Sequence, residues 1–315
     1  MGMSATGAAT DSGTCPVCLQ GPAIPFADVD GHPYFECGAC GSLYIDPAVL
    51  AAMDRGESTV GCYAREYWDQ ERKAAMERAH GIGLCLAGEA ILYCRRPVER
   101  FLDVGAGAGE LLRQLQQLLD PEGAIFHGVE KFPPDWAARL PGFHHGDVAA
   151  LEGRYDAGVC IEVVEHLTPA MLDGIVAGLA RASHPGAFWI FNTGMPDYVR
   201  HEDPGYLDPL RRGHVVSYSV EGVRARFEPH GFRVGALPGR SFAFYAEYQG
   251  EGDAIGFDTR FYHPLPENRA LVERHRLLAC AAFETARSYF YQAESQARTR
   301  WALDLDRELR AARGG

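Results

Sequence analysis

The run Phe101-Leu-Asp-Val-Gly-Ala-Gly-Ala-Gly-Glu110 constrains the fold more than any other stretch of this chain. An apolar segment ends in an acid, three glycines alternate with small residues, and Glu110-Leu-Leu-Arg-Gln-Leu115 opens an amphipathic pattern. That order predicts a strand, a tight turn and a helix start. Glycine lets the backbone come close to a ligand, and the free N–H groups of a helix N-terminus face it. Dinucleotide-binding dehydrogenases carry a similar turn. Asp103 separates the two cases, because those enzymes usually place an apolar residue there. A carboxylate at that strand end suits a cationic ligand better than a pyrophosphate.

From residue 100 onward the sequence alternates between strand and helix patterns. Strands are expected at 101–104, 124–130, 143–145, 157–162, 187–193, 232–237 and 242–248. Helices are expected between them at 110–119, 135–139, 169–183 and 220–230. This alternation predicts an α/β fold with a Rossmann-like, seven-stranded, mostly parallel sheet covered on both faces. The short Pro238-Gly239 turn before the last strand implies an antiparallel edge. Residues 63–92 read as helical, and the Ala- and Arg-rich stretch 267–313 as two further helices.

Cys15-Pro-Val-Cys18 and Cys37-Gly-Ala-Cys40 form two Cys-x-x-Cys pairs. That spacing predicts tetrahedral ligation of a structural Zn²⁺ by Cys15, Cys18, Cys37 and Cys40. Asp30-Gly31 between the pairs predicts a hairpin turn. The expected organisation is a leader at 1–14, a zinc ribbon at 15–46, a linker with helices at 47–98, a ligand-binding domain at 99–249 and a helical extension at 250–315. Residues 1–14 lack the basic and apolar regions of a signal peptide and read as a disordered leader. The formal charge of −12 disfavours a nucleic-acid partner, since phosphate binding calls for clustered Lys and Arg. No apolar run approaches a membrane span. Nine cysteines without a dense disulfide framework suggest a reducing, cytoplasmic setting.

Residues 99–248, about half the chain, resemble the class I S-adenosylmethionine (SAM) methyltransferases in four motifs: the glycine loop and the ends of three later strands. The core is most similar to the ubiquinone-type O-methyltransferases. The resemblance implies SAM as cofactor, held by Asp103, Gly105, Gly107 and Gly109. Glu130 would accept hydrogen bonds from both ribose hydroxyls. Asp147 and Val148 would meet the adenine, with Glu162 beside the methionine moiety and Tyr63 and Tyr67 closing over it. The run 156–167 matches the fourth motif and places His166, with His214 and Glu165, at the reacting centre. Glu162, Glu165, His166 and His214 together resemble a divalent-metal set for Mg²⁺ or Mn²⁺. It is shared with the small-RNA 2′-O-methyltransferases. The expected activity is methyl transfer to a hydroxyl of a small molecule, such as a sugar or natural-product intermediate, with His166 as base. The alternatives are sugar C-methylation, RNA 2′-O-methylation and a non-enzymatic scaffold. The C-terminal helices are expected to cover the sheet, shape the substrate pocket or form a homodimer.

Overall fold

Two sheets share this chain, and a short strand from the larger domain completes the smaller sheet. The structure is a computed structural model that describes residues 13–57, 65–137, 139–250 and 256–314. Tyr63 lies outside the described residues. Tyr67 is described in its backbone alone, so neither closing role can be read from its ring.

The small sheet begins with β1 (Ala23–Val29) and β2 (His32–Cys37). Their connecting residues Asp30 and Gly31 have φ of 53° and 81°, the left-handed pair of a tight hairpin turn. The chain continues through β3 (Leu43–Ile45), α1 (Pro47–Asp54), α2 (Arg65–His80) and α3 (Ile82–Tyr93). The helical run expected across 63–92 is therefore divided at Gly81. A helix-continuing Cβ at the following glycine, Gly83, would lie 2.9 Å from the Arg78 carbonyl oxygen.

The main domain comprises β4 (Phe101–Val104), α4 (Glu110–Leu119), β5 (Phe126–Glu130), β6 (Phe143–His145), β7 (Tyr155–Ile161), α5 (Pro169–Arg181), β8 (Ser183–Asn192) and α6 (Pro196–His201). After these come β9 (Val216–Ser217), α7 (Val220–Phe227), β10 (Phe232–Ala236) and β11 (Ala243–Tyr248). The strand order is β10-β11-β8-β7-β4-β5-β6. β4, β5, β6, β7 and β8 pair in parallel, whereas β11 runs antiparallel to β8 and to β10. The expected α/β class, with a seven-stranded, mostly parallel sheet and an antiparallel edge pair, is what the chain adopts. β7 is buried along nearly its whole length, as a central parallel strand should be. α4 buries Leu111, Leu112, Leu115 and Leu119 at helical spacing. Thr168 caps α5 by accepting from Met171 N at 3.2 Å, with Pro169 at the first turn.

The helix expected at 135–139 does not form among the described residues. Residues 135–137 form a turn, and Ala138 lies outside the described residues. Five residues behind Pro133-Pro134 supply too few hydrogen bonds to offset helix nucleation.

The C-terminal extension holds α8 (Phe257–Tyr262), α9 (Pro266–Glu273) and α10 (Arg276–Gly314). α10 reaches the domain through α3, which is apolar on nearly all sides and lies between α10 and the sheet. The contact is close: a Cβ at Gly88 would stand 2.8 Å from Ala282 Cβ. The distal part of α10 leaves the body of the protein and exposes Trp301, Leu305 and Leu309 one turn apart. No helix among the described residues is long and apolar enough to cross a membrane.

Candidate active site

In an open α/β sheet a ligand sits beyond the carboxyl ends of the strands, where the strand order reverses. Here that point lies between β4 and β7, and a cavity of about 740 Å³ opens there. The size suits a nucleoside-scale ligand. Asp103, Glu130 and Asp147 line it at the ends of β4, β5 and β6, and Glu162 lines it at the end of β7.

The glycine loop forms the floor. Gly105, Gly107 and Gly109 all have positive φ, at 72°, 54° and 82°. A Cβ at Gly105 would lie 2.3 Å from Val163 Cγ2, so no L side chain fits there without moving the loop. Glu130 ties the loop down: its Oε2 accepts from Gly107 N at 3.0 Å and its Oε1 from Phe132 N at 2.8 Å. Each oxygen keeps a second lone pair directed elsewhere. Burial raises the Glu130 carboxyl despite these donors. Asp103 is 4% exposed, and burial, with the Glu130 charge next, pushes its carboxyl up to about 7. Asp147 differs. Its Oδ1 caps the turn Val148–Ala150 by accepting from Ala149 N at 2.9 Å, and its Oδ2 lies 3.1 Å from Lys131 Nζ. Chiefly through the Ala149 N–H, its carboxyl stays below the usual range.

α2, the helix expected to close over the ligand through Tyr67, roofs the cavity with polar side chains that the sequence does not announce. Trp68, Glu71, Arg72, Ala75 and Arg78 all line it. Arg78 pairs with Glu71 two turns away, and Arg72 lies 4.8 Å over the Trp136 ring across the mouth. By sequence alone this charged face reads as a solvated one.

Deeper in, Glu165, His166 and His214 converge, with their ligand atoms within 4.8 Å of one another. His166 Nε2 lies 3.8 Å and His214 Nε2 3.9 Å from Glu165 Oε1. Each ring is oriented by a carbonyl: His166 Nδ1 meets Gly213 O at 3.1 Å, and His214 Nδ1 meets Tyr206 O at 2.7 Å. A carbonyl only accepts, so both rings carry their proton on Nδ1 and direct Nε2 toward the carboxylate. Glu165 is fully buried, and neither of its oxygens has a hydrogen-bond partner among the described residues. Burial, reinforced by the Glu162 charge, drives its carboxyl well up. Burial lowers His166 to about 4. Glu162 stands outside this convergence of three, on backbone of φ 54°, a conformation that non-glycine residues rarely hold.

A second cluster lies in the small sheet. The four sulfurs of Cys15, Cys18, Cys37 and Cys40 fall within 4.8 Å of one another. Cys18 Sγ and Cys37 Sγ are 3.6 Å apart, near the ~3.8 Å edge of a tetrahedron with 2.3 Å Zn–S bonds. Val17 N donates to Cys15 Sγ, and Ala39 N and Cys40 N donate to Cys37 Sγ, each at 3.3 Å.

Fold and site together define an open α/β protein of Rossmann-like type with a ligand-sized, carboxylate-rimmed crevice at its topological switch point. No protein-family model and no curated protein matches the sequence. Among solved structures the chain is similar to DesVI of Streptomyces venezuelae, at 19% identity over 55% of this chain and 94% of that one, with a TM-score of 0.40. It is also similar to a SAM-bound amino pentose methyltransferase from Micromonospora echinaspora (18% identity, 59% and 98% covered, TM-score 0.43). A third is the magnesium protoporphyrin IX methyltransferase of Synechocystis with bound S-adenosylhomocysteine (18% identity, 58% and 97% covered, TM-score 0.39).

Proposed function

We propose that this protein is a SAM-dependent methyltransferase acting on a hydroxyl of a small molecule. The observation that carries the reading is the arrival of Asp103, Glu130 and Asp147 from three successive strand ends in one cavity floored by the glycine loop. The cradle fits the cofactor. Its floor is bare backbone, Glu130 keeps lone pairs for a vicinal diol, and Asp103 becomes a stable carboxylate once a cation stands beside it. SAM, when bound, supplies a methyl group activated by a sulfonium; the protein aligns the acceptor and manages its proton. Glu130→Ala is expected to weaken SAM binding tenfold or more, on the order of ~1.4 kcal/mol. Unchanged affinity by titration calorimetry would remove Glu130 from the cofactor site.

His166 as a lone base fits poorly, because a group held near 4 has little drive to take a proton at neutral pH. Two neutral imidazoles and an orphaned buried carboxylate instead make a ligand set for a divalent ion of the Mn²⁺ kind, whereas Mg²⁺ would call for more oxygen ligands. Such an ion, when bound, lowers the pKa of an acceptor hydroxyl. Glu165, His166 and His214 would hold it, with Glu162 at the cavity side. Titration with Mn²⁺ followed by electron paramagnetic resonance is expected to show binding to the native protein, weakened at least tenfold in Glu165→Gln. Absence of binding to the native protein would overturn the metal reading.

The four-cysteine cluster fits Zn²⁺ in number, softness and spacing, and its role is structural. The exposed Trp301–Leu305–Leu309 stripe of α10 is the surface a homodimer would use. The charge of −12 favours a small-molecule acceptor over RNA.

A further inference from the structure

β9 has one ladder partner among the described residues, and that partner belongs to the cysteine ribbon. Tyr44 pairs with Val216 and Leu43 with Ser217, while Ile45 N donates to Val215 O at 2.9 Å. Tyr34 of β2, 1% exposed, donates its hydroxyl to the carbonyl oxygen of His214 at 2.6 Å. Just beyond, Ser219 Oγ donates to Cys40 O at 2.5 Å, and Ser219 N donates to Ser42 Oγ at 3.0 Å.

The opposite edge of the same segment is tied to the convergent histidines. Val215 N donates to Glu165 O at 2.8 Å, and His166 meets Gly213 O as described. Residues 213–217 are thus clamped between the ribbon and the turn that carries Glu165 and His166. A two-residue strand cannot hold its own geometry; its order comes from its partners. A reacting centre tolerates displacements of well under ~1 Å.

We propose that the cysteine ribbon is a positioning element of the reacting centre. Through Tyr34 and the β3–β9 pairing it fixes the backbone from which His214 reaches Glu165, so the cluster is assembled only when the ribbon is folded. Tyr34 is a positioning residue, since it acts through the His214 backbone. The inference rests on the reading of Glu165, His166 and His214 as the reacting centre.

Tyr34→Phe tests it, because it deletes one hydroxyl and keeps the ring in the core. In nitrogen-15 spectra of the histidine rings, His214 is expected to pass from a single Nδ1–H tautomer to a tautomer mixture. Amide exchange at Val215 and Val216 is expected to accelerate at least tenfold, while amides of β4 and β7 keep their native rates. S-adenosylhomocysteine affinity is expected to stay within twofold. In the native full-length protein, withdrawing the ribbon metal with a chelator is expected to speed exchange across 213–217 together with 15–45. A His214 tautomer and 213–217 exchange that both stay native in Tyr34→Phe and after ribbon unfolding overturn the proposal. Failure of the native protein to bind S-adenosylhomocysteine strikes the cofactor reading instead and leaves the exchange result standing.

Discussion

Stripping the metal from Cys15, Cys18, Cys37 and Cys40 is expected to be the costliest single change to this protein. Structural zinc contributes on the order of 10–16 kcal/mol to small domains at neutral pH, comparable to the ~5–15 kcal/mol that separates a whole domain from its unfolded state. The ribbon has little else to replace it. β1 is largely exposed or half-buried, and three strands of seven, six and three residues cannot enclose a core of their own. Its buried side chains, among them Tyr34, Leu43 and Tyr44, pack into the same core as Val216, Val223 and Phe227 of the larger domain. Loss of the ribbon therefore exposes part of that domain as well. Elemental analysis should find about one zinc per chain, and chelation should lower the melting temperature of the whole protein rather than add a separate early transition. Purified protein without zinc, or an unchanged melting curve after chelation, would defeat this assignment.

The second large effect is expected at the base of the long helix. Arg240 sits in the turn between β10 and β11 and grips Glu89 of α3 through its two terminal guanidinium nitrogens, Nη1 and Nη2, at 3.0 and 2.6 Å. Both side chains are almost fully buried, and the guanidinium lies 4.3 Å over the Tyr289 ring of α10. Arg240→Ala leaves a buried carboxylate without its cation and is expected to cost about 3–5 kcal/mol in chemical denaturation. Burial already raises the Glu89 carboxyl, and Arg240 opposes the rise. Without the arginine the folded state binds a proton more tightly than the unfolded chain does. The variant's deficit should therefore shrink as pH falls from 8 toward 5. Replacing the pair by Leu and Met together should cost much less than Arg240→Ala, because no uncompensated charge remains. A loss below ~1 kcal/mol in Arg240→Ala, or one independent of pH, would show that water reaches Glu89.

Much of the fold is legible in sequence where a residue type answers a local demand. β4, β6 and α4 match the expected bounds at both ends because the glycine loop and the strand-end acids punctuate the chain there. The hairpin turn at Asp30-Gly31 follows from two residues that tolerate positive φ. Glu165, His166 and His214, 49 residues apart in sequence at their extremes, converge in space, while Glu162 lines the cavity beside them. The polar roof of α2 is not legible. Glu71 and Arg78 look like a solvated face until the glycine loop is placed under them.

The sequence by itself determined the strand-loop-helix around the glycines, the ribbon hairpin turn and the spacing that gathers the four sulfurs, since turn, cap and ligand spacings are short-range conditions. Tertiary structure alone decided what meets across long separations: Tyr34 with His214, 180 residues apart, and Glu89 with Arg240, 151 apart. Such pairs leave no periodic trace in the chain. A two-residue strand or a single buried ion pair has too few residues to form a pattern, and its partner is set by how the two sheets and α3 pack together.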